Sequence, residues 1–272
     1  MMPDLDSASD PQLAAVVDFF LQRSGFEAES AATLRRALDE VIDGMRTGRW
    51  CVGALEKTEK TYIGTKVEIL FKFDFELPDG ERLDTIIAGT EVDIKCTVLK
   101  DWMIPQEAVN ELCLVVRIDD RKSKFWIGVV RASEAILRRG QNRDRKVSIS
   151  AEGKKSIQWL VEEGDLPRNL LAELDEGDRS RILGQTSGQA RVNELFRTVL
   201  GRSVPRTVIE TVARQKDPMK RVRDARIELQ GEGILLLGHQ GEHPNIAASL
   251  GFAPPRKGEI LAVRVPDIER FC

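Results

Sequence analysis

Between residues 60 and 75 the apolar positions read two ways. Ile63, Val67, Leu70 and Phe71 fall on one helical face, while Ile63, Val67, Ile69, Phe71 and Phe73 also alternate as in a strand. Other segments are less divided. Asp10-Pro11 reads as an N-cap followed by proline in the first turn, opening a helix that Gly25 ends. A second helix is expected from near Ser30 to about Ile42, with Gly44 supplying a left-handed C-cap. After the firm turn Pro78-Asp79-Gly80, short runs predict strands near 82–88, 90–98, 111–118 and 124–131, interrupted by a loop at Trp102-Met103-Ile104-Pro105. A helix after Ser133 would close an α/β sandwich.

The best boundary is a linker around Glu162 to Leu166, with Gly164 and Pro167 nearby, which divides the chain into domains 1–163 and 168–272. Beyond it Ser187 can cap a helix through about Leu200, ended by Gly201. Pro205 opens a second helix to about Arg214, and Asp217-Pro218 caps a third that carries Lys220, Arg221, Arg223 and Arg226. Three short helices followed by strands Ile234–Gly238 and Glu259–Val265 look like a winged helix-turn-helix, in which one helix enters a major groove while its neighbours hold phosphates.

Strand alternation gives the pattern chemical content. Asp93 and Lys95 point one way while Val92 and Ile94 face the other. Asp84 lies on the preceding apolar run, and a tight Ala88-Gly89-Thr90 turn can bring it beside Asp93. Two carboxylates so close repel each other unless a divalent cation lies between them. Mg2+ prefers oxygen ligands and needs only one or two carboxylates plus a substrate phosphate. Lys95 would then stabilise developing charge or help deprotonate a water, and Glu68 would hold a second cation or a water. Alone, the D-x-K tripeptide favours the plainer reading of a solvated strand face with charges paired across the hairpin. In the loop after it, Trp102 and Met103 are expected to pack rather than to wedge between bases.

Composition narrows the choices further. A length of 272 residues suits two compact domains. No run of about 18 apolar residues appears, so no membrane span is expected. The acidic start lacks the basic and apolar segments of a secretion signal. Cys51, Cys96, Cys113 and Cys272 stand apart with no C-x-x-C pair, and read as free thiols in a reducing cytoplasm, Cys96 and Cys113 in the core. The net charge of −3 conceals an asymmetry: residues 1–45 hold nine acids and three bases, whereas residues 179–226 hold twelve Lys or Arg against four acids. Such a basic stretch is a plausible phosphate footprint, Arg191 included, although a solvated helical face would look similar. Arg138, Arg139, Arg143, Arg145 and Lys146 form another basic run, read equally well as phosphate contacts or as solvated charge. His239 and His243 read as polar loop residues, since Gly241 breaks the helix that would align them and no third ligand is near. Val41-Ile42-Asp43-Gly44 is similar to the K-x-D-G of DNA ligases without the lysine, so no adenylation chemistry follows. P-loop, dinucleotide-binding and G-x-S-x-G patterns are missing.

Longer stretches carry a family resemblance. GTKVEI (Gly64 to Ile69), the IIAG-x-x-V-D-x-K stretch (Ile86 to Lys95) and Trp102 to Pro105 resemble the NaeI family of type II (type IIE) restriction endonucleases. The resemblance resumes at SGQARVNELFR (Ser187 to Arg197), VARQKDPMKRVRDAR (Val212 to Arg226) and EGILLLGHQ (Glu232 to Gln240), and spans about Arg46 to Val265. It implies a PD-(D/E)xK nuclease fold in the first domain, a helix carrying Glu68, and catalytic roles for Glu68, Asp84, Asp93 and Lys95. Glu68, Asp84, Asp93 and the backbone carbonyl of Ile94 would be the metal ligands. For the second domain it implies a catabolite-activator-like DNA-binding motif that holds a second copy of the target and activates cleavage at the first.

The expected fold is therefore α/β, a PD-(D/E)xK nuclease domain followed by a mainly helical winged helix-turn-helix. The expected activity is Mg2+-dependent cutting of both strands of a palindromic, G+C-rich DNA site by a homodimer, with Arg191, Lys220, Arg221, Arg223 and Arg226 binding DNA. A companion DNA methyltransferase would protect the host without being a stable partner. Three alternatives stand beside it: a DNA-repair nickase, a DNA-binding regulator with a relic nuclease domain, and a structural α/β protein with incidental charge.

Overall fold

The computed structural model describes residues 10–138, 140, 145–268 and 271. They divide into two units, each mixing helices and strands. One comprises the described residues up to Val41 together with Glu56–Arg168, and the other Ile42–Leu55 with the described residues from Asn169 onward. The segment Ile42–Leu55 thus belongs with the second half of the chain. Arg139, Arg143 and Cys272, named above, lie outside the described residues.

In the first unit, α1 (Pro11–Leu21) begins as expected, its Asp10 carboxylate accepting the Leu13 N–H at 3.0 Å. It stops at Leu21, and Gly25 (φ +78°) turns the chain into α2 (Phe26–Ile42), which starts ahead of Ser30. The left-handed residue after α2 is Asp43 (φ 45°), not Gly44. Gly44 opens α3 (Gly44–Thr47), a single turn of the second unit, where an added Cβ would lie 2.3 Å from Thr211 Oγ1. Close approach explains this glycine better than its conformational freedom does.

The ambiguous stretch folds as α4 (Lys57–Asp74), opened by a reciprocal capping box between Glu56 and Glu59. Ile63, Val67 and Phe71 are buried while Phe73 is 77% exposed, so the helical reading decides which apolar residues enter the core. Phe71 and Phe75 lie 4.9 Å apart between centroids, and Phe75 meets Phe26 at 5.4 Å. Burying each ring contributes about 1.5–3 kcal/mol, enough to seat α4 firmly.

The strands are β1 (Thr85–Ile87), β2 (Thr90–Thr97), β3 (Met103–Ile104), β4 (Leu112–Asp119), β5 (Lys124–Arg131), β6 (Val147–Ser148) and β7 (Gln158–Asp165). Five form one sheet in the order β1-β2-β4-β5-β7, with β2 and β4 parallel and the other pairs antiparallel. Leu112 to Val116 are all buried, the continuous apolar run expected of a central strand. In the β2–β4 connection Trp102 is packed, 3% exposed, and donates its indole N–H to the Val116 carbonyl at 2.8 Å.

Two expectations fail here. No helix starts at Ser133; a single turn closes at Ile136, and then Leu137 bridges Ile149 while the Arg138 N–H bonds the Ser148 carbonyl. The proposed linker at Glu162–Leu166 is mostly strand, the end of β7. Gly164 is not a hinge: a Cβ there would fall 2.6 Å from Val161 Cγ1 and 2.7 Å from the Phe125 ring.

The second unit adds α5 (Leu170–Glu173), α6 (Glu176–Leu183), α7 (Gly188–Thr198), β8 (Ser203–Pro205), α8 (Arg206–Ala213), α9 (Pro218–Gln230), β9 (Ile234–Leu237), α10 (His243–Ser249) and β10 (Glu259–Arg264). Ser187 and Asp217 cap α7 and α9 through their side chains, as their sequence positions predict. The strands form an antiparallel sheet in the order β8-β10-β9. Val192, Phe196, Ile209, Val212, Val222, Leu229 and Ile234 belong to the core joining helices to sheet. His243 opens α10, its Nδ1 accepting the Gly238 N–H at 3.1 Å, whereas His239 is exposed. No helix among the described residues is long and apolar enough to cross a membrane.

Candidate active site

The β1–β2 hairpin builds the centre of the site. Ile87 pairs with Thr90, leaving Ala88 (φ 49°) and Gly89 (φ 77°) as a two-residue turn with both backbones left-handed. Asp84 immediately precedes β1, and its Oδ2 accepts the Ile94 N–H at 2.7 Å, which holds it against β2. Asp93 and Lys95 share a face of β2, with Ile94 directed into the core at 3% exposure.

The Lys95 ammonium is the hub. It lies 2.8 Å from Asp93 Oδ1, 3.4 Å from Asp84 Oδ2 and 3.3 Å from the Ile94 carbonyl oxygen. Asp93 is 3% exposed, and its Oδ2 is buried with no hydrogen-bond partner. Burial pushes the Asp93 pKa up to about 6; Lys95 works against that rise and the nearby Asp84 adds to it. Burial would depress the Lys95 pKa, but its bonds to Asp93 and Asp84 outweigh it and keep the group charged.

Two residues that the sequence did not single out support this centre. Glu91, on the same face of β2, accepts the N–H groups of Glu81 at 2.7 Å, Arg82 at 3.2 Å and Leu83 at 2.6 Å, tying down the loop that leads into Asp84. The backbone bond from Leu83, above all, holds its carboxyl below the usual range. Lys72, on α4, pairs with Glu68 Oε1 at 3.2 Å and donates to the Asp84 carbonyl at 3.3 Å. A Glu–Lys pair one turn apart on α4 is a sequence signal for the first of these contacts, but nothing local announces the second.

Asp84, Asp93 and Lys95 are thus brought together directly, and Glu68 joins them through Lys72. Among the described residues no three acidic, His or Cys side chains form a ready cation cage. The donors nevertheless suit a hard cation: two adjacent carboxylates, a backbone carbonyl, and an orphaned buried oxygen on Asp93. Lys95 already places positive charge on three of these oxygens.

The basic residues of the second unit differ among themselves. Arg191 donates to the carbonyls of Val212 at 2.7 Å, Gln185 at 3.1 Å and Ala213 at 3.1 Å, clamping the end of α8. Arg226 donates to the Leu236 carbonyl at 3.1 Å. Arg221 is half-buried beside Gln189 and Asp224. Lys220 and Arg223 are exposed on α9, together with Ile227 at 75% exposure.

Comparison with known proteins places this arrangement. The sequence model of the family described as restriction endonuclease NaeI matches residues 17–270. The type II restriction enzyme NaeI of Lentzea aerocolonigenes is 43% identical over 247 residues, covering 87% of this chain and 78% of that protein. The class is therefore that of the restriction endonucleases, site-specific nucleases that bind and hydrolyse DNA and generally use divalent metal ions. Within it, the chain belongs to the NaeI family.

Proposed function

We propose that this chain is a Mg2+-dependent endonuclease that cuts both strands of a palindromic, G+C-rich site as a homodimer. The convergence of Asp84, Asp93, Lys95 and the Ile94 carbonyl, with Asp93 Oδ2 left unpartnered, carries this reading. Asp84, Asp93 and the Ile94 carbonyl would hold Mg2+, with Glu68 as a further ligand. When bound, the ion would neutralise charge on the scissile phosphate and favour ionisation of a water. Asp93 must be ionised to serve as a ligand, and its raised pKa makes that requirement pH-dependent. Lys95 would turn its ammonium from the carboxylates to the phosphate, stabilising the charge that builds during in-line attack.

The first unit is the proposed PD-(D/E)xK nuclease domain. For the second we propose a winged helix-turn-helix holding an activating second copy of the site. Its order of α7, β8, α8, α9, β9, α10 and β10, with β10 central in the sheet, supports that fold. The exposed Lys220 and Arg223 give α9 its proposed DNA-facing side. A companion methyltransferase completes the proposed system without forming a stable complex.

Digestion of a long sequenced DNA in Mg2+, with Asp93→Ala protein in parallel, tests the reading. Discrete fragments from the native protein and none from the variant are expected, with DNA binding kept by both. Cutting by the variant would sink the proposed site. Open circles instead of linear plasmid would reveal a nickase.

A further inference from the structure

Lys72 has no part in the chemistry proposed above, yet it joins two pieces of the site that the chain builds separately. Glu68 comes from α4, and Asp84 from the loop before β1. The Lys72 ammonium reaches back one helical turn to Glu68 Oε1 at 3.2 Å and across to the main-chain carbonyl of Asp84 at 3.3 Å. A third partner, Asp79 Oδ1 at 3.2 Å, is 89% exposed, so water screens that bond most. The Lys72 and Glu68 side chains are only 21% and 26% exposed.

An ordinary Glu–Lys pair one turn apart is satisfied within its own helix. Here the same ammonium also grips the residue whose carboxylate faces Asp93 and Lys95. Among the described residues Lys72 is the one polar partner of Glu68. Desolvation opposes its charge, but bonds to Asp79 and Glu68 more than offset this, so Lys72 remains a full ammonium.

We propose that Lys72 is a positioning residue: it fixes the Glu68 carboxylate relative to Asp84, so that helix and hairpin present one acidic set to a divalent cation. This rests on Glu68 being a cation ligand, as proposed above. Outer groups that orient a metal ligand typically change affinity or activity by about 10- to 100-fold when removed.

The test uses the full chain and four variants: Glu68→Ala, Lys72→Met, Lys72→Arg, and Glu68→Ala with Lys72→Met. Calorimetry measures Ca2+ binding to each protein, and single-turnover assays measure cleavage in Mg2+. Lys72→Met should weaken Ca2+ binding and slow cleavage, each by about 10- to 100-fold. Lys72→Arg should recover most of both, and the double variant should be no slower than Glu68→Ala. Should Lys72→Met fail to fold, Lys72→Gln takes its place. Unchanged or tighter Ca2+ binding without Lys72 would overturn the proposal, tighter binding being what removal of a bystander positive charge gives. Additive losses in the double variant would overturn it too. If Glu68→Ala itself binds Ca2+ and cleaves like the parent, the assignment of Glu68 fails, and the role of Lys72 fails with it.

Discussion

In the first unit the Lys95 ammonium lies within 3.4 Å of two carboxylates and a carbonyl; in the second, Lys220 and Arg223 stand exposed on α9. Both sets would meet the same polyanion, and their environments separate the tasks. Close, half-buried charges perturb one another and can hold a proton or a cation in place. Exposed charges attract phosphates through water, with an effect that added salt erodes. Arg191 shows that belonging to a basic stretch does not decide the matter, since its donors are engaged by three carbonyls.

Breaking that contrast should give graded effects. Arg191→Ala should destabilise the second unit by about 3 kcal/mol, the scale of one or two charge-assisted hydrogen bonds, measurable by urea unfolding. The same change should leave the salt dependence of DNA binding alone; a flattened slope would return Arg191 to the DNA surface. Neutralising Lys220 and Arg223 together should do the opposite, lowering the slope of log affinity against log salt by about 2 with little change in melting.

A smaller and more particular effect is expected from pH. Asp93, raised to about 6, keeps its proton longer in the folded chain than in the unfolded one. The cation-free protein should therefore lose stability as pH rises from the ordinary carboxylate range to about 6, and Asp93→Asn should remove that loss in thermal melts. Glu91 has the opposite sign: its pKa is lowered, so its contribution is present above the ordinary carboxylate range and is lost as pH falls from there through the lowered value. Ca2+ affinity should also fall as pH drops below about 6, when binding must displace a proton. Smallest is Ala88→Gly, which relieves a left-handed alanine (φ 49°) and should stabilise the hairpin by about 1 kcal/mol without changing cleavage.

Period-two alternation was sufficient to place Asp93 and Lys95 on one face and to draw Asp84 alongside, because a strand fixes side-chain direction locally. The ambiguous run around Glu68 needed the family resemblance, since its apolar residues fit both periods until the aromatic cluster selects Phe71 and leaves Phe73 outside. Lys72 and Glu91 were illegible for a different reason: their decisive partners are backbone groups, which no side-chain pattern encodes. The same blindness affected Arg191, whose charge is visible in the sequence while the destination of its donors is not. The helix-cap reading of Gly44 and the linker reading around Gly164 mislead for one reason: a glycine required by a close neighbour looks the same in one dimension as a glycine required by a turn.

Lys95 also bears on the order of events in the life of the enzyme. By resting against Asp84, Asp93 and the Ile94 carbonyl, it acts as an internal counter-ion, so acquiring the native fold need not wait for a cation. Chelation should then silence such a protein without melting it, and restoring the ion should revive activity on the timescale of binding rather than of refolding.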